Sequence, residues 1–363
     1  MKADFRWRFF SAGVLLTAAL LLPAGQVLAE AYFDRYGLTP ASPSLDLGIQ
    51  PLGYPSGLIS AVMGRDRIMA VQLNKLGHPL KAYPFQRGAD MLALLADQRL
   101  EAGLLGDVPT ILSAATGDVL IVGLVKQTST SIVAKGEIQI RNLAGKRIGY
   151  VENSSAHHTL LQGLASTKLT ENDVTLVPMR VDDMPDALAR GQIDAFAAWE
   201  PAPSIALGQN DKHRIVFRGL SSDYFVINRN FEKHDPEAAR VLVAGFVRAI
   251  EWMRRSQKNI ELAARWAIAD VEKFSGKPVA LPISQIVAIT RREILNVPSA
   301  PTIISSPGSP PVLRSEFTFL QGKNKIPKHG DWEKVVTALN YDGLERVMSD
   351  QRKYQTKQFD YAE

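Results

Sequence analysis

The chain has 363 residues, 46% hydrophobic and 22% charged, with a formal net charge of +5 at pH 7 and no cysteine. The missing cysteine excludes a disulfide frame, a thiol nucleophile, a thiolate metal site and a lipid-modified cysteine anchor. The charge is mild and dispersed, with doublets only at Arg254-Arg255 and Arg291-Arg292. That argues against a nucleic-acid stripe and leaves a modest field that helps an anion arrive.

The first residues read as a targeting segment. Lys2, Arg6 and Arg8 precede the apolar run Val14–Leu22, and Val27-Leu28-Ala29 makes a small-residue cleavage site before Glu30. The run is too short to span a bilayer. Residues 1–29 are therefore expected to be removed on export, leaving a chain long enough for two domains.

Residues 30–44 form an irregular lead-in, and Leu45–Gln50 is apolar enough for a strand inside a parallel sheet. After the turn Pro51–Gly57, one helix is expected over Leu58–Lys75, stopped by Gly77. Leu80–Tyr83 is a second strand, Ala89–Asp97 a helix and Glu101–Leu105 a third strand. Gly106-Asp107-Val108-Pro109-Thr110 opens a short helix, and Val119–Val125 is a further strand. The order then repeats: strand Lys146–Val151, turn Asn153-Ser154-Ser155, helix Ala156–Ala165, strand Val174–Val177, helix Asp183–Arg190 and strand Ile193–Ala198. A shift of 93 positions lays Asp90, Met91 and Leu95 on Asp183, Met184 and Leu188, and Asp107 on Glu200.

From Ile215 the chain turns back through strands at Val216–Phe217 and Tyr224–Asn228. Helices Asp235–Ser256 and Ile260–Lys273 follow, then a proline-rich irregular loop over 296–330, a last helix Trp332–Asp350 and a polar tail. The expectation is an α/β protein of two lobes, each a mostly parallel sheet flanked by helices. Lobe 1 takes residues 30–130 and 219–363, and lobe 2 takes 131–218. Crossings near 126–134 and 216–226 would form a hinge with the ligand between the lobes.

Asn142–Gly149 (N-L-A-G-K-R-I-G) with Asn153–His158 (N-S-S-A-H-H) resembles the second lobe of the periplasmic binding proteins for aliphatic sulfonates, taurine and nitrate. Gly106-Asp107-Val108-Pro109 and Trp199-Glu200-Pro201 stand where that family has Gly-Asp-x-Pro and Trp-Asp-Pro segments. The resemblance covers residues 45–295. It implies a monomeric solute-binding component of an ABC importer that takes a small organic anion, with a sulfonate or sulfate ester fitting best, and delivers it to the membrane permease subunits. It implies neither cofactor, metal nor nucleic acid. Glu200 stands where the family commonly has an aspartate, and its longer side chain would change the pocket. The same fold also carries pyrimidine-forming synthases and small dehydratases, but the export segment and the absent cysteines argue against them.

Several residues are candidates for the ligand. Ser154 and Ser155 precede a helix whose first N–H groups lack intrahelical partners, so they either hold an anion or cap the helix. His157 either reaches the cleft or serves structure; the pair His157-His158 lacks the i, i+4 spacing of a metal pair. Ser56 and Gly57 mirror the serines in lobe 1, and Thr110 either bonds the ligand or its own turn. Gly106 belongs to the motif at the strand end. Asp107 and Glu200 either pair an amino group of the ligand or cap the following helices, and Trp199 would wall the pocket. Arg87 and Arg180 could clamp an anion, with surface positions the rival.

Overall fold

The computed structural model describes residues 31–40, 42–296 and 311–362. The expected export segment and residues 297–310 of the proline-rich stretch lie outside the described residues. In chain order the first elements are β1 (Leu45–Ile49), α1 (Ser56–Met63), α2 (Arg67–Lys75), β2 (Leu80–Pro84), α3 (Leu92–Ala96), β3 (Ala102–Gly106), α4 (Asp107–Thr116) and β4 (Val119–Ala134). The second run is β5 (Arg147–Tyr150), α5 (Ser155–Ser166), β6 (Thr175–Pro178), α6 (Met184–Ala189), β7 (Ala195–Ala198), α7 (Ala202–Gln209) and β8 (Arg214–Asn228). Helices α8 (Arg229–His234), α9 (Pro236–Arg255), α10 (Gln257–Ser275), α11 (Ile283–Asn296), α12 (Pro311–Gly322), α13 (Trp332–Ala338) and α14 (Asp342–Ser349) complete the chain.

All eight strands join one sheet of order β2-β1-β3-β8-β4-β7-β5-β6. The outer triplets β2-β1-β3 and β7-β5-β6 are parallel, while β4 and β8 pair antiparallel from Val119↔Asn228 to Ala134↔Arg214. Each long strand thus reaches both triplets: the end of β8 pairs β3 and the end of β4 pairs β7. The sheet has two halves of like order about a shared central ladder. The repeat read in the sequence is physical, because the 93-residue shift carries α3 onto α6, β3 onto β7 and α4 onto α7.

The core follows the halves. One large apolar cluster packs β1, β3 and the start of β4 under α1, α2, α9 and α10, with Leu45, Leu47, Leu58, Phe225 and Phe246 fully buried. Two smaller clusters cover the other half. One holds Phe196, Met184 and Leu188 with α6 and α7, and the other Ile148, Leu160 and Leu164 with α5.

Four elements differ from expectation. The single helix over 58–75 is two, because Gly64 ends α1 and Asp66 caps α2 by accepting the Met69 N–H at 2.9 Å. The crossings are not connections but the middles of unbroken strands. The loop at 296–330 contains α12, whose Leu313, Phe317 and Leu320 are buried at i, i+4, i+7 spacing. The last helix breaks at Leu339–Tyr341, where Leu339 bridges to Ile121 of β4. The polar tail is also packed: Tyr361 lies against Trp252, ring centroids 4.7 Å apart.

That tail is pinned by a buried ion pair. Arg248, fully buried in α9, donates to Asp66 at 2.7 Å and to the Tyr354 carbonyl at 2.6 Å. Truncating it leaves a buried carboxylate uncompensated, which costs about 3–5 kcal/mol. Arg248→Ala should therefore lower the unfolding free energy by about that amount in urea titration; a loss under 1 kcal/mol would refute the assignment.

Candidate functional site

The carboxyl ends of the parallel strands in both halves face one narrow cleft of about 30 Å³, the position where open α/β sheets take ligands. One half contributes Gln50, Gly53 and Ser56 from the β1–α1 turn, Gly88, and Gly106 with Pro109 at the β3–α4 junction. The other contributes Ser154 and Ser155 at the start of α5 and Trp199 at the end of β7. The central ladder supplies Lys126 from β4 and Ser221 and Asp223 from β8.

The charged pair comes from the ladder. Lys126 and Asp223 are direct cross-strand partners, just after an irregularity at Leu124/Lys126 of the kind that re-aims a side chain. Their charged atoms lie 3.5 Å apart, with the lysine 3% exposed. Ser56 donates to the same carboxylate oxygen. Burial pushes the Asp223 carboxyl above the usual carboxylate range, while Lys126 and Ser56 pull it back down.

The two serines of α5 divide the work. Ser154 is a true N-cap, accepting the His157 N–H at 3.2 Å and donating to the Val151 carbonyl at 2.6 Å. Among the described residues the Ser155 hydroxyl has no protein partner, and it faces Gly106 across the cleft. A Cβ added to Gly106 would lie 2.6 Å from its oxygen, so only glycine admits this approach. The Ser221 hydroxyl, on a residue 1% exposed, also has no partner among the described residues. Buried hydroxyls are normally paired; those of Thr110, Ser113 and Ser222 are also without a partner among the described residues, but they lie outside the cleft lining, which Ser155 and Ser221 join.

Of the sequence candidates, the cleft brings together Ser56, Gly106, Ser154, Ser155 and Trp199, and the other five lie outside its lining. Gly57 turns inward against Pro51, where a Cβ would come within 2.6 Å of the carbonyl oxygen. Asp107 accepts the Val108 N–H at 2.7 Å and the Ser222 N–H at 3.1 Å, tying α4 to β8. Thr110 is fully buried, and its hydroxyl has no partner among the described residues. Glu200 accepts the Ser204 N–H at 3.2 Å in the first turn of α7. Arg87 and Arg180 are held by Asp90 and Asp182, respectively.

His157 accepts the Asn153 N–H at 3.3 Å through Nδ1 and stands 3.4 Å from Glu171 through Nε2, its ring against Tyr150. It holds the left-handed Asn153, φ 54°, that turns the chain into the cap. Burial and the Lys325 charge hold its pKa below the usual histidine range, which fits the accepting Nδ1.

Sequence reasoning missed Lys126, Ser221 and Asp223. The available signal was a lone lysine in the otherwise uncharged run Val119–Ser131 after Asp118, since an ionisable residue inside a central strand needs a partner. It also missed a buried acid behind the cleft. Glu316 of α12 shares a hydrogen bond with Asp107 and lies 3.7 Å from His158. Burial, reinforced by the Asp107 charge, pushes Glu316 well above the usual carboxylate range. Burial also lowers the His158 pKa, so the imidazole stays neutral.

A carboxyl whose pKa is raised on folding contributes stability that is fully present below its unfolded value, about 4.3. That stability is lost as pH rises toward the folded value, by up to about 1.4 kcal/mol per pH unit. Glu316→Gln removes this loss. Its stability relative to the native chain should climb from pH 4.5 to pH 8 in chemical denaturation, and a gap independent of pH would exclude a protonated Glu316.

Residues 87–260 match the NMT1/THI5-like family. Over 225 residues the chain is 26% identical to an Escherichia coli K12 protein named for binding aliphatic sulfonates, covering 58% of this chain and 69% of that one. A protein of the same name from Bacillus subtilis 168 is 29% identical over 194 residues, half of this chain and 57% of the relative. The crystal structure of the alkanesulfonate-binding protein SsuA from Xanthomonas axonopodis pv. citri, bound to MOPS, superposes with a TM-score of 0.63. It covers 82% of this chain and 98% of its own at 23% identity, a likeness of fold.

Proposed function

We propose, from the premise that residues 87–260 belong to the NMT1/THI5-like family, that this chain is the solute-binding component of an ATP-driven importer. It captures a small organic anion in the cleft and presents it to the membrane permease. The observation that carries this is the convergence of Ser155, Ser221 and Lys126 on one cleft, with two hydroxyls unpaired. Ser155 stands at the first turn of α5, where N–H groups without intrahelical partners and the positive helix end favour negative charge. A tetrahedral sulfonate or sulfate ester offers three oxygens to these donors, while Trp199 walls its apolar stem.

Asp223 does not forbid an anion. Lys126 stands 3.5 Å from it and offsets its charge, and an ionised Asp223 favours a guest bearing an ammonium or hydroxyl beside its acid group.

Capture works through differential contact. Residues 30–130 with 219–363 and residues 131–218 would act as two lobes, and β4 and β8 would bend at the ladder between them. The open form offers one lobe's donors, and closure adds Ser155 and Trp199 and excludes water. Ligand favours closure only by the contacts that the closed form alone makes. The relatives' names support the sulfonate class, and the sequence of residues 1–29 supports export to the periplasm. Among the described residues no helix is long and apolar enough to cross a membrane.

Thermal shift against sulfonates, alkyl sulfates, nitrate and carboxylates tests the class. A ligand at a hundred times its Kd stabilises by about 2.7 kcal/mol, so silence across the panel would sink the anion reading. Lys126→Met should weaken binding roughly ten- to a hundredfold, the range of a charged hydrogen bond.

The serines should separate in calorimetry. Ser154→Ala should cost about 1 kcal/mol of stability, whereas Ser155→Ala should weaken affinity with stability unchanged. Equal effects in both assays would undo the division.

A further inference from the structure

A second cavity, of about 390 Å³, lies beside the anion cleft and has no part in the site described above. The β1–α1 turn gives it Leu52 and Tyr54, α7 gives it Ala202 and Ile205, and the end of α10 with the following loop gives Val271 and Val279. It shares a wall with the cleft one residue thick. Leu52 and Tyr54 face the cavity while Gly53 between them faces the cleft; Pro201 lines the cavity and Trp199 lines the cleft. The partition is the Trp199 indole lying on Gly53, with Nε1 donating to the Leu52 carbonyl at 3.3 Å.

The charges at its rim are already spent. Asp182 is held by both Nε and Nη2 of Arg180, at 2.9 and 2.8 Å. Asp186 accepts from Gln209 at 2.9 Å, and Lys277 is paired with Asp183. What the cavity offers a guest is an apolar floor. Leu52, Tyr54, Ala202 and Val271 are each under 9% exposed.

We infer that this cavity is a tail chamber. The ligand is an amphiphilic anion whose acid group sits in the cleft and whose alkyl or aryl part passes Trp199 into the chamber. The inference rests on the anion reading of the cleft and adds a substrate class to it. The cleft alone falls well below the usual range of ligand-site volumes, and the chamber brings the two together within it. Trp199 is only half-buried and held by one long hydrogen bond, so swinging it aside joins the two spaces.

Isothermal titration with an alkanesulfonate series from ethane to octane, each below its micellar concentration, tests this on the full chain. Beyond the length that fills the cleft, affinity should tighten roughly three- to fourfold per added methylene. Ile205→Trp, which fills the chamber, should flatten that slope while leaving the ethanesulfonate Kd within about twofold. Ala280→Trp, at an exposed rim position, repeats the test should Ile205→Trp fail to fold. A flat or falling length dependence in the native chain, with ethanesulfonate still bound, overturns the chamber and leaves the anion reading standing. A slope unmoved by both variants also overturns it. Failure of every member to bind overturns the chamber together with the sulfonate class, while the anion reading stands or falls on the wider panel above.

Discussion

The antiparallel ladder between β4 and β8 is the constraint on which the molecule depends. It pairs Val119 with Asn228 at one end and Ala134 with Arg214 at the other, and both triplets of parallel strands attach to its flanks. A ladder that crosses from one half to the other must bury its middle, and the middle holds Lys126 opposite Asp223. A buried pair of this kind is weak evidence for stability, because desolvation offsets the attraction. Its better explanation is placement: it puts one cation and one acid on the ladder that both halves share. On the proposed two-lobe reading, bending at the ladder would move this pair.

Most of the fold was legible because apolar runs of strand length and helical stripes coincide with the observed elements. The repeat was legible for a deeper reason: α3–β3–α4 and α6–β7–α7 solve the same packing problem, and the 93-residue shift aligns them without a gap. What sequence could not show was continuity. Polar residues such as Gln127, Thr128 and Ser129 look like a connection, yet they are the part of β4 that pairs with Ser222, Ser221 and Leu220 where the strands cross between halves. The same stretch hid half of the site. Helix α12 was obscured by the prolines before it, although Leu313, Phe317 and Leu320 carry its periodicity.

Acids at strand ends mislead in sequence. Asp107 and Glu200 occupy equivalent places in the repeat, and both spend oxygens on backbone N–H groups: Asp107 on Val108 at the start of α4 and Ser222 of β8, Glu200 on Ser204 in the first turn of α7. A carboxylate there satisfies orphan donors and faces the positive helix end, so it needs no ligand to justify it. Spacing alone could not separate that role from recognition. Three-dimensional contact does, because a side chain already paired has little left for a guest, whereas Ser155 has all of its capacity.

Among the described residues the contacts that join the halves include hydrogen bonds, ion pairs and the packing of α12 on α5, where Phe319 lies against His158 and Glu316 stands 3.7 Å from it. Tyr54 N–H donates to the Glu200 carbonyl at 3.0 Å, Trp199 Nε1 to that of Leu52 at 3.3 Å, and Lys277 pairs with Asp183 at the surface. Arg292 stands 4.0 Å from Glu200, more than half exposed. Neutral hydrogen bonds contribute about 1 kcal/mol each and exposed ion pairs about 0–1 kcal/mol. The burial of Leu52 and Val271 against the opposite half adds a modest apolar term. Against these stands the cost of holding Ser155 and Ser221 unpaired and Lys126 away from water, which is of the same order per group. On the proposed reading, a guest that satisfies those groups adds to closure the contacts that the empty cleft leaves unmade. The same unpaired groups that make the empty cleft costly make the filled one selective, since a guest lacking matching acceptors closes the cleft without removing the cost.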